Sequence, residues 1–188
     1  MGPRLENYVE LLRQGGVIAC ATETLFGLLA DARSERSVAR VVAIKQRASA
    51  PIALLVPDLA AAEALAFLTP SARALAQRFW PGPLTLIVQA RAGLLPQLVR
   101  DGTVGLRVPG ASPALDLVRA FDGPLTATSC NPSGLPAAST SDQARAYFGT
   151  GLAAIVEGHA PGGLPSTLVD ATGAALRVLR AGAISLDV

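Results

Sequence analysis

The apolar residues of this chain come in short runs, and that brevity constrains its architecture more than any other feature. Val17-Ile18-Ala19-Cys20-Ala21, Ile52 to Val56 and Leu84 to Val88 each give way to glycine, proline or polar residues within a few positions. Such a run reads as a buried strand and not as a membrane span, which needs about 18 uninterrupted apolar residues. Between the runs lie segments with helical spacing. Leu5, Val9 and Leu12 follow Pro3 and stop at Gly15-Gly16, and Val38, Val41 and Val42 lie in a helix from Ser34 to Lys45. Asp58, Thr69-Pro70, Ser112-Pro113 and Thr140-Ser141-Asp142 are capping signals that open four more helices. Further strands are expected over Thr103 to Pro109, Pro124 to Thr128 and Leu152 to Val156, and the pair Thr167 to Asp170 and Ala175 to Leu179 reads as a hairpin. Strands alternating with helices predict an α/β fold.

At 188 residues the chain suits one domain, expected to run over 1–188. Hydrophobic residues make up 51% and charged residues 16%, which excludes a disordered chain. A net charge of +2 argues against a protein that coats nucleic acid but leaves room for a local basic pocket. Cys20 and Cys130 form no CxxC and His159 is the only histidine, so the expectation is two reduced thiols and no zinc site. Met1 to Gln14 carries Arg4, Glu6, Glu10 and Arg13 and is not a signal peptide, so the expected compartment is the cytoplasm, with no membrane partner.

Four stretches carry chemistry. The chain has one lysine among its 16 basic residues, in Lys45-Gln46-Arg47 at a helix-to-strand link. The two cations either complement the helix dipole or converge on one anion, the ammonium as a point charge and the guanidinium as a fork. Thr22-Glu23-Thr24 follows a buried strand, where open α/β sheets place ligands; the competing reading makes the threonines helix caps and Glu23 a solvated first-turn carboxylate. Thr103, Gly105 and Arg107 share one strand face, so Arg107 either snorkels at the surface or faces space that a ligand fills. Ser129-Cys130-Asn131-Pro132-Ser133-Gly134 is either a phosphate cradle or a plain polar turn. Trp80 reads as a core plug, because 4% aromatic content offers no stacking series for nucleic acid. Glu23 and His159 are left out of the catalytic set.

In their order along the chain these stretches resemble the YrdC-like, or TsaC, family of threonylcarbamoyl-AMP synthases in its short, single-domain form. The carriers are Thr22-Glu23-Thr24 with Phe26-Gly27-Leu28, Lys45-Gln46-Arg47, Phe79 to Leu86, Thr103 to Pro109, Ser129-Cys130-Asn131 with Ser133-Gly134, Ser166 to Asp170, and Arg180 with Gly182. Ala21, Phe26, Ala48 and Cys130 depart from the residues usual in relatives, and none of the four removes a charge. The resemblance implies an open, twisted mixed sheet with a concave ligand cavity and flanking helices. It implies that L-threonine, bicarbonate and ATP, with Mg2+, give threonylcarbamoyl-AMP and pyrophosphate for t6A37 tRNA modification. By the same resemblance Lys45 and Arg47 are catalytic and bind ATP with Thr103, Ser129, Asn131 and Arg180, while Thr22, Arg107 and Ser166 bind threonine. Removing Lys45 or Arg47 is expected to abolish most activity and leave the fold intact. tRNA and a downstream threonylcarbamoyl transferase complex are the further partners implied. The alternative is a YrdC-like RNA- or nucleotide-binding protein without synthase activity.

Overall fold

The computed structural model describes residues 4–45 and 52–186. Among these residues six α-helices and ten strands follow one another: α1 Leu5–Arg13, β1 Ile18–Ala21, β2 Phe26–Leu29, α2 Glu35–Lys45, β3 Ala53–Leu55, α3 Leu59–Leu65, β4 Ala66–Phe67, α4 Pro70–Phe79, β5 Leu84–Ala90, β6 Thr103–Arg107, α5 Pro113–Phe121, β7 Leu125–Ser129, α6 Ser141–Phe148, β8 Ala154–Ile155, β9 Thr167–Asp170 and β10 Arg177–Arg180. The helix starts follow the capping signals. Asp58, Thr69, Ser112 and Thr140 accept the backbone N–H of the third residue of α3, α4, α5 and α6, and Ser34 does the same for Ser37 of α2. The left-handed Gly15, at φ +85°, lies just past the end of α1. Pro3 lies outside the described residues, and the buried face of α1 is Tyr8, Val9 and Leu12.

All ten strands join one open sheet in the order β10-β9-β5-β6-β3-β7-β2-β1-β8, with β4 on β5. Its directions are mixed: β1–β8, β3–β6 and β5–β9 are parallel and the other pairs antiparallel. Helix α1 packs on α5, α5 and α6 pack on β1, and α4 packs on β5.

The period of two along the central strands separates a core face from a cavity face. Leu54, Leu84, Leu86, Val88, Val104 and Leu106 are buried in the core. The intervening Ala53, Thr85, Gly105 and Ala127 are small and leave the opposite face hollow. A Cβ at Gly105 would already lie 3.2 Å from Ala53 Cβ and 3.3 Å from Ile87 Cδ1, so a larger residue there would fill the floor of the hollow.

One of the two readings of Thr22-Glu23-Thr24 is overturned. Thr22-Glu23-Thr24 does not open a helix; it is the tight turn between β1 and β2, whose strands pair antiparallel. Thr22 closes this turn by donating its hydroxyl to Leu25 O at 2.8 Å and accepting the N–H groups of Thr24 and Leu25. Glu23 is not solvated either, because the turn folds its side chain onto Arg107 and buries both carboxylate oxygens. The apolar run Phe26–Leu29 is fully buried and pairs on both edges, which favours a strand over a helix.

Candidate functional site

A cavity of about 360 Å³ occupies the hollow face, within the range of small-molecule sites. Two neighbouring polar clusters line it. In the first, Arg107 ends β6 with its side chain buried, 7% exposed as a residue, and its Nη2 lies 2.7 Å from Glu23 Oε1 and 3.4 Å from Thr24 Oγ1. Thr24 in turn shares a 3.0 Å hydroxyl contact with Thr22. The Glu23–Arg107 contact is one of charge more than of aligned hydrogen bonds: neither carboxylate oxygen receives a well-directed N–H, and Arg107 Nε finds no acceptor, among the described residues. In the second cluster, Thr85 and Ser166 share a 2.8 Å hydroxyl contact, and Arg180 Nη2 donates to Ser166 O at 2.9 Å. Burial, and then the nearby Arg107, hold the Arg180 guanidinium below its ordinary value. Two partly desolvated cations in one cavity favour an anionic ligand, since its charge relieves both penalties.

A third element forms the other wall. Lys45 is 4% exposed at the end of α2, and its ammonium donates to Ser129 O at 2.7 Å, Asn131 O at 2.6 Å and Asn131 Oδ1 at 2.9 Å. An ammonium has three donors, and here three close acceptors fold the Ser129–Asn131 turn around them. The turn is pinned again where Ser133 donates its hydroxyl to Lys45 O at 3.2 Å. Within it, burial pushes the Cys130 thiol up to about 12, against the opposing charge of Lys45.

The expected site residues are placed as follows. Thr22, Arg107, Ser129, Ser166 and Arg180 line the cavity. Lys45 and Asn131 stand behind Ser129 and shape the turn that reaches the cavity. Arg180, expected at the nucleotide end, contacts Ser166, expected at the threonine end. Thr103 lies at the far end of β6 from Arg107, opposite Gln89, with its hydroxyl donated to Arg100 O at 2.7 Å. Arg47 lies outside the described residues. Sequence reading named Glu23 and Thr24 within the Thr22-Glu23-Thr24 stretch but gave neither a site role, and it gave none to Thr85. Thr24 and Thr85 were legible in principle, Thr85 through the alternation of β5 and Thr24 through its place two residues after Thr22.

Residues 10–182 match the Sua5_yciO_yrdC family, described as "Telomere recombination". The chain belongs to the Sua5/YciO/YrdC family. Among curated relatives, a protein named threonylcarbamoyl-AMP synthase from Cellvibrio japonicus is 37% identical over 164 residues, covering 85% of this chain and 86% of that one. The protein of the same name from Thiobacillus denitrificans is 37% identical over 179 residues, covering 93% and 94%. Among solved structures, P. abyssi Sua5 complexed with L-threonine superposes with a TM-score of 0.88 at 31% identity, over 95% of this chain and 54% of that one. Membership fits the mixed sheet with its flanking helices, and no helix among the described residues is long and apolar enough to cross a membrane.

Proposed function

We propose that this chain is a threonylcarbamoyl-AMP synthase, a nucleotidyltransferase that joins L-threonine, bicarbonate and ATP for the t6A37 modification of tRNA. The observation that carries this reading is that the Arg107 and Ser166–Arg180 clusters line one cavity together with Ser129, on the turn built on Lys45. A ligand that bridges them needs a carboxylate at one end and phosphates at the other, and threonine plus ATP supply both. The names of the relatives at 37% identity support the same assignment.

In this reading Arg107 receives the threonine carboxylate, and the hydroxyls of Thr22 and Ser166 hold the rest of the amino acid. Ser129 and Asn131, set in place by Lys45, meet the nucleotide together with Arg180, and Arg47 adds a second cation to the phosphates. The threonine amine condenses with bicarbonate to a carbamate and water. A carbamate oxygen then attacks the α-phosphorus in line, and pyrophosphate leaves with its bonding electrons. No protein nucleophile is required, because positioning and charge stabilisation supply the acceleration. In this proposal Mg2+ would enter with ATP as part of the substrate and would offset the charge of the phosphates.

The test is pyrophosphate release by the purified protein with ATP and Mg2+, omitting L-threonine or bicarbonate in turn. Release that requires both is expected. ATP or tRNA binding without such release would point to the binding-protein alternative.

A further inference from the structure

Among the described residues, Glu23 is the buried carboxylate beside the cavity that the proposed reaction leaves without a task. Its neighbours Thr22 and Thr24 line the cavity; Glu23 itself does not, and turns behind them toward Arg107. The carboxylate is held there by the absence of a side chain opposite. A Cβ at Gly110 would fall 2.9 Å from Glu23 Cγ and 3.1 Å from both Cδ and Oε1, closer than packed atoms tolerate. Glu23 is therefore wedged between the backbone of Gly110 and the guanidinium of Arg107.

Without that wedge Arg107 has little to fix it. Its remaining side-chain hydrogen bond among the described residues is to Thr24 Oγ1 at 3.4 Å, a weak one, and its Nε is unpartnered. A guanidinium on a long stem over a floor of glycine and alanine samples several rotamers unless a fixed charge selects one. Glu23 selects one. It fixes Nη2 of Arg107, a residue that lines the cavity, and it compensates the charge of Arg107 while no ligand is bound.

We infer that Glu23 is a positioning residue, seated by Gly110, that aims Arg107 at the carboxylate of the amino-acid substrate. This rests on the threonine-binding role proposed for Arg107. It follows that the amino-acid affinity of this chain is set by two residues that touch no substrate, one of them a glycine on the loop before α5.

The experiment compares wild type, Glu23→Gln and Gly110→Ala. Steady-state pyrophosphate release gives kcat and the KM values for L-threonine and ATP, and calorimetric titration with L-threonine gives direct binding. Glu23→Gln keeps the shape and removes the charge, so KM for L-threonine is expected to rise at least about tenfold, with kcat at saturating threonine and KM for ATP within about twofold. Gly110→Ala is expected to do the same by displacing Glu23, and to add less than about twofold in the Glu23→Gln background. An unchanged threonine KM in Glu23→Gln, or a full additional effect of Gly110→Ala in that background, would overturn the inference. If Glu23→Gln fails to fold, a normal threonine KM in folded Gly110→Ala overturns it equally. Wild-type protein that binds L-threonine but releases no pyrophosphate would refute the synthase reading, and weaker threonine binding by the variants would still uphold the role of Glu23.

Discussion

The segment that carries Arg180 leaves no space for a side chain at Gly182, and replacing this glycine gives a quantitative prediction. Hydrogen bonds on either side of it tie the segment to Pro165–Thr167: Arg180 Nη2 to Ser166 O at 2.9 Å, Ala183 N to Pro165 O at 2.8 Å, and Thr167 Oγ1 to Ile184 O at 2.6 Å. A Cβ on Gly182 would lie 2.3 Å from Pro165 O and 2.6 Å from both Ser166 C and Thr167 N. All three are backbone atoms, so no flexible side chain can yield. Moving the closest contact from 2.3 Å out to an ordinary 3.4 Å shifts the segment by about 1 Å, enough to break the Ala183 bond and unseat Arg180 from Ser166. Overpacking of this kind costs about 1–3 kcal/mol. For a domain of this size that is a fall in Tm of roughly 2–12 °C. Calorimetric melting of Gly182→Ala against Gly173→Ala is the assay, because a Cβ at Gly173, on the same hairpin, meets nothing within 4 Å. Threonine-dependent turnover is expected to fall in the first variant and to persist in the second. A Gly182→Ala protein that melts with the wild type would refute the argument.

Two other perturbations follow from the same geometry. Lys45→Met leaves Ser129 O, Asn131 O and Asn131 Oδ1 without their shared donor, so the expected result is a loss of about 2 kcal/mol in urea melts as well as a rate loss on the order of 100-fold or more; unchanged stability would return Lys45 to the purely electrostatic role that its sequence position suggested. Burial raises the thiol of Cys130 to about 12 and that of Cys20 likewise upward, so neither is expected to react with a disulfide reagent at pH 8 until the protein unfolds. The unfolded thiols ionise near pH ~8.5 and the folded ones do not, so this contribution is fully present below that pH and stability falls as pH rises toward about 12. A thiol that reacts at once in the native protein would contradict the burial.

The legible parts of the fold were those decided by neighbours in sequence. Ser34, Asp58, Thr69, Ser112 and Thr140 announce helices because each cap and its N–H partner are three residues apart. Arg107 was legible as a cavity residue because Gly105, two positions earlier, marks the hollow face of β6. The turn at Thr22-Glu23-Thr24 was not, since a polar triad before an apolar run suits a helix start as well as a hairpin, and only the pairing of β2 with both β1 and β7 decides. Glu23 escaped for a related reason: its partner Arg107 and its seat Gly110 are distant in sequence, and no local spacing joins a carboxylate to either. The Thr85–Ser166 contact, 81 residues apart, is of the same kind. Lys45 was recognised as special by being the only lysine, yet its use as the post of the Ser129–Asn131 turn depends on a contact across 86 residues.

The most direct test of the account is the identity of the nucleotide product. Purified protein is incubated with ATP, Mg2+, L-threonine and 13C-bicarbonate, and the nucleotides are resolved by mass spectrometry. The account predicts an adenylate that carries both threonine and one labelled carbonyl, formed together with pyrophosphate and lost when threonine is withheld. A product limited to AMP or ADP, or an adenylate without the bicarbonate carbon, would contradict it.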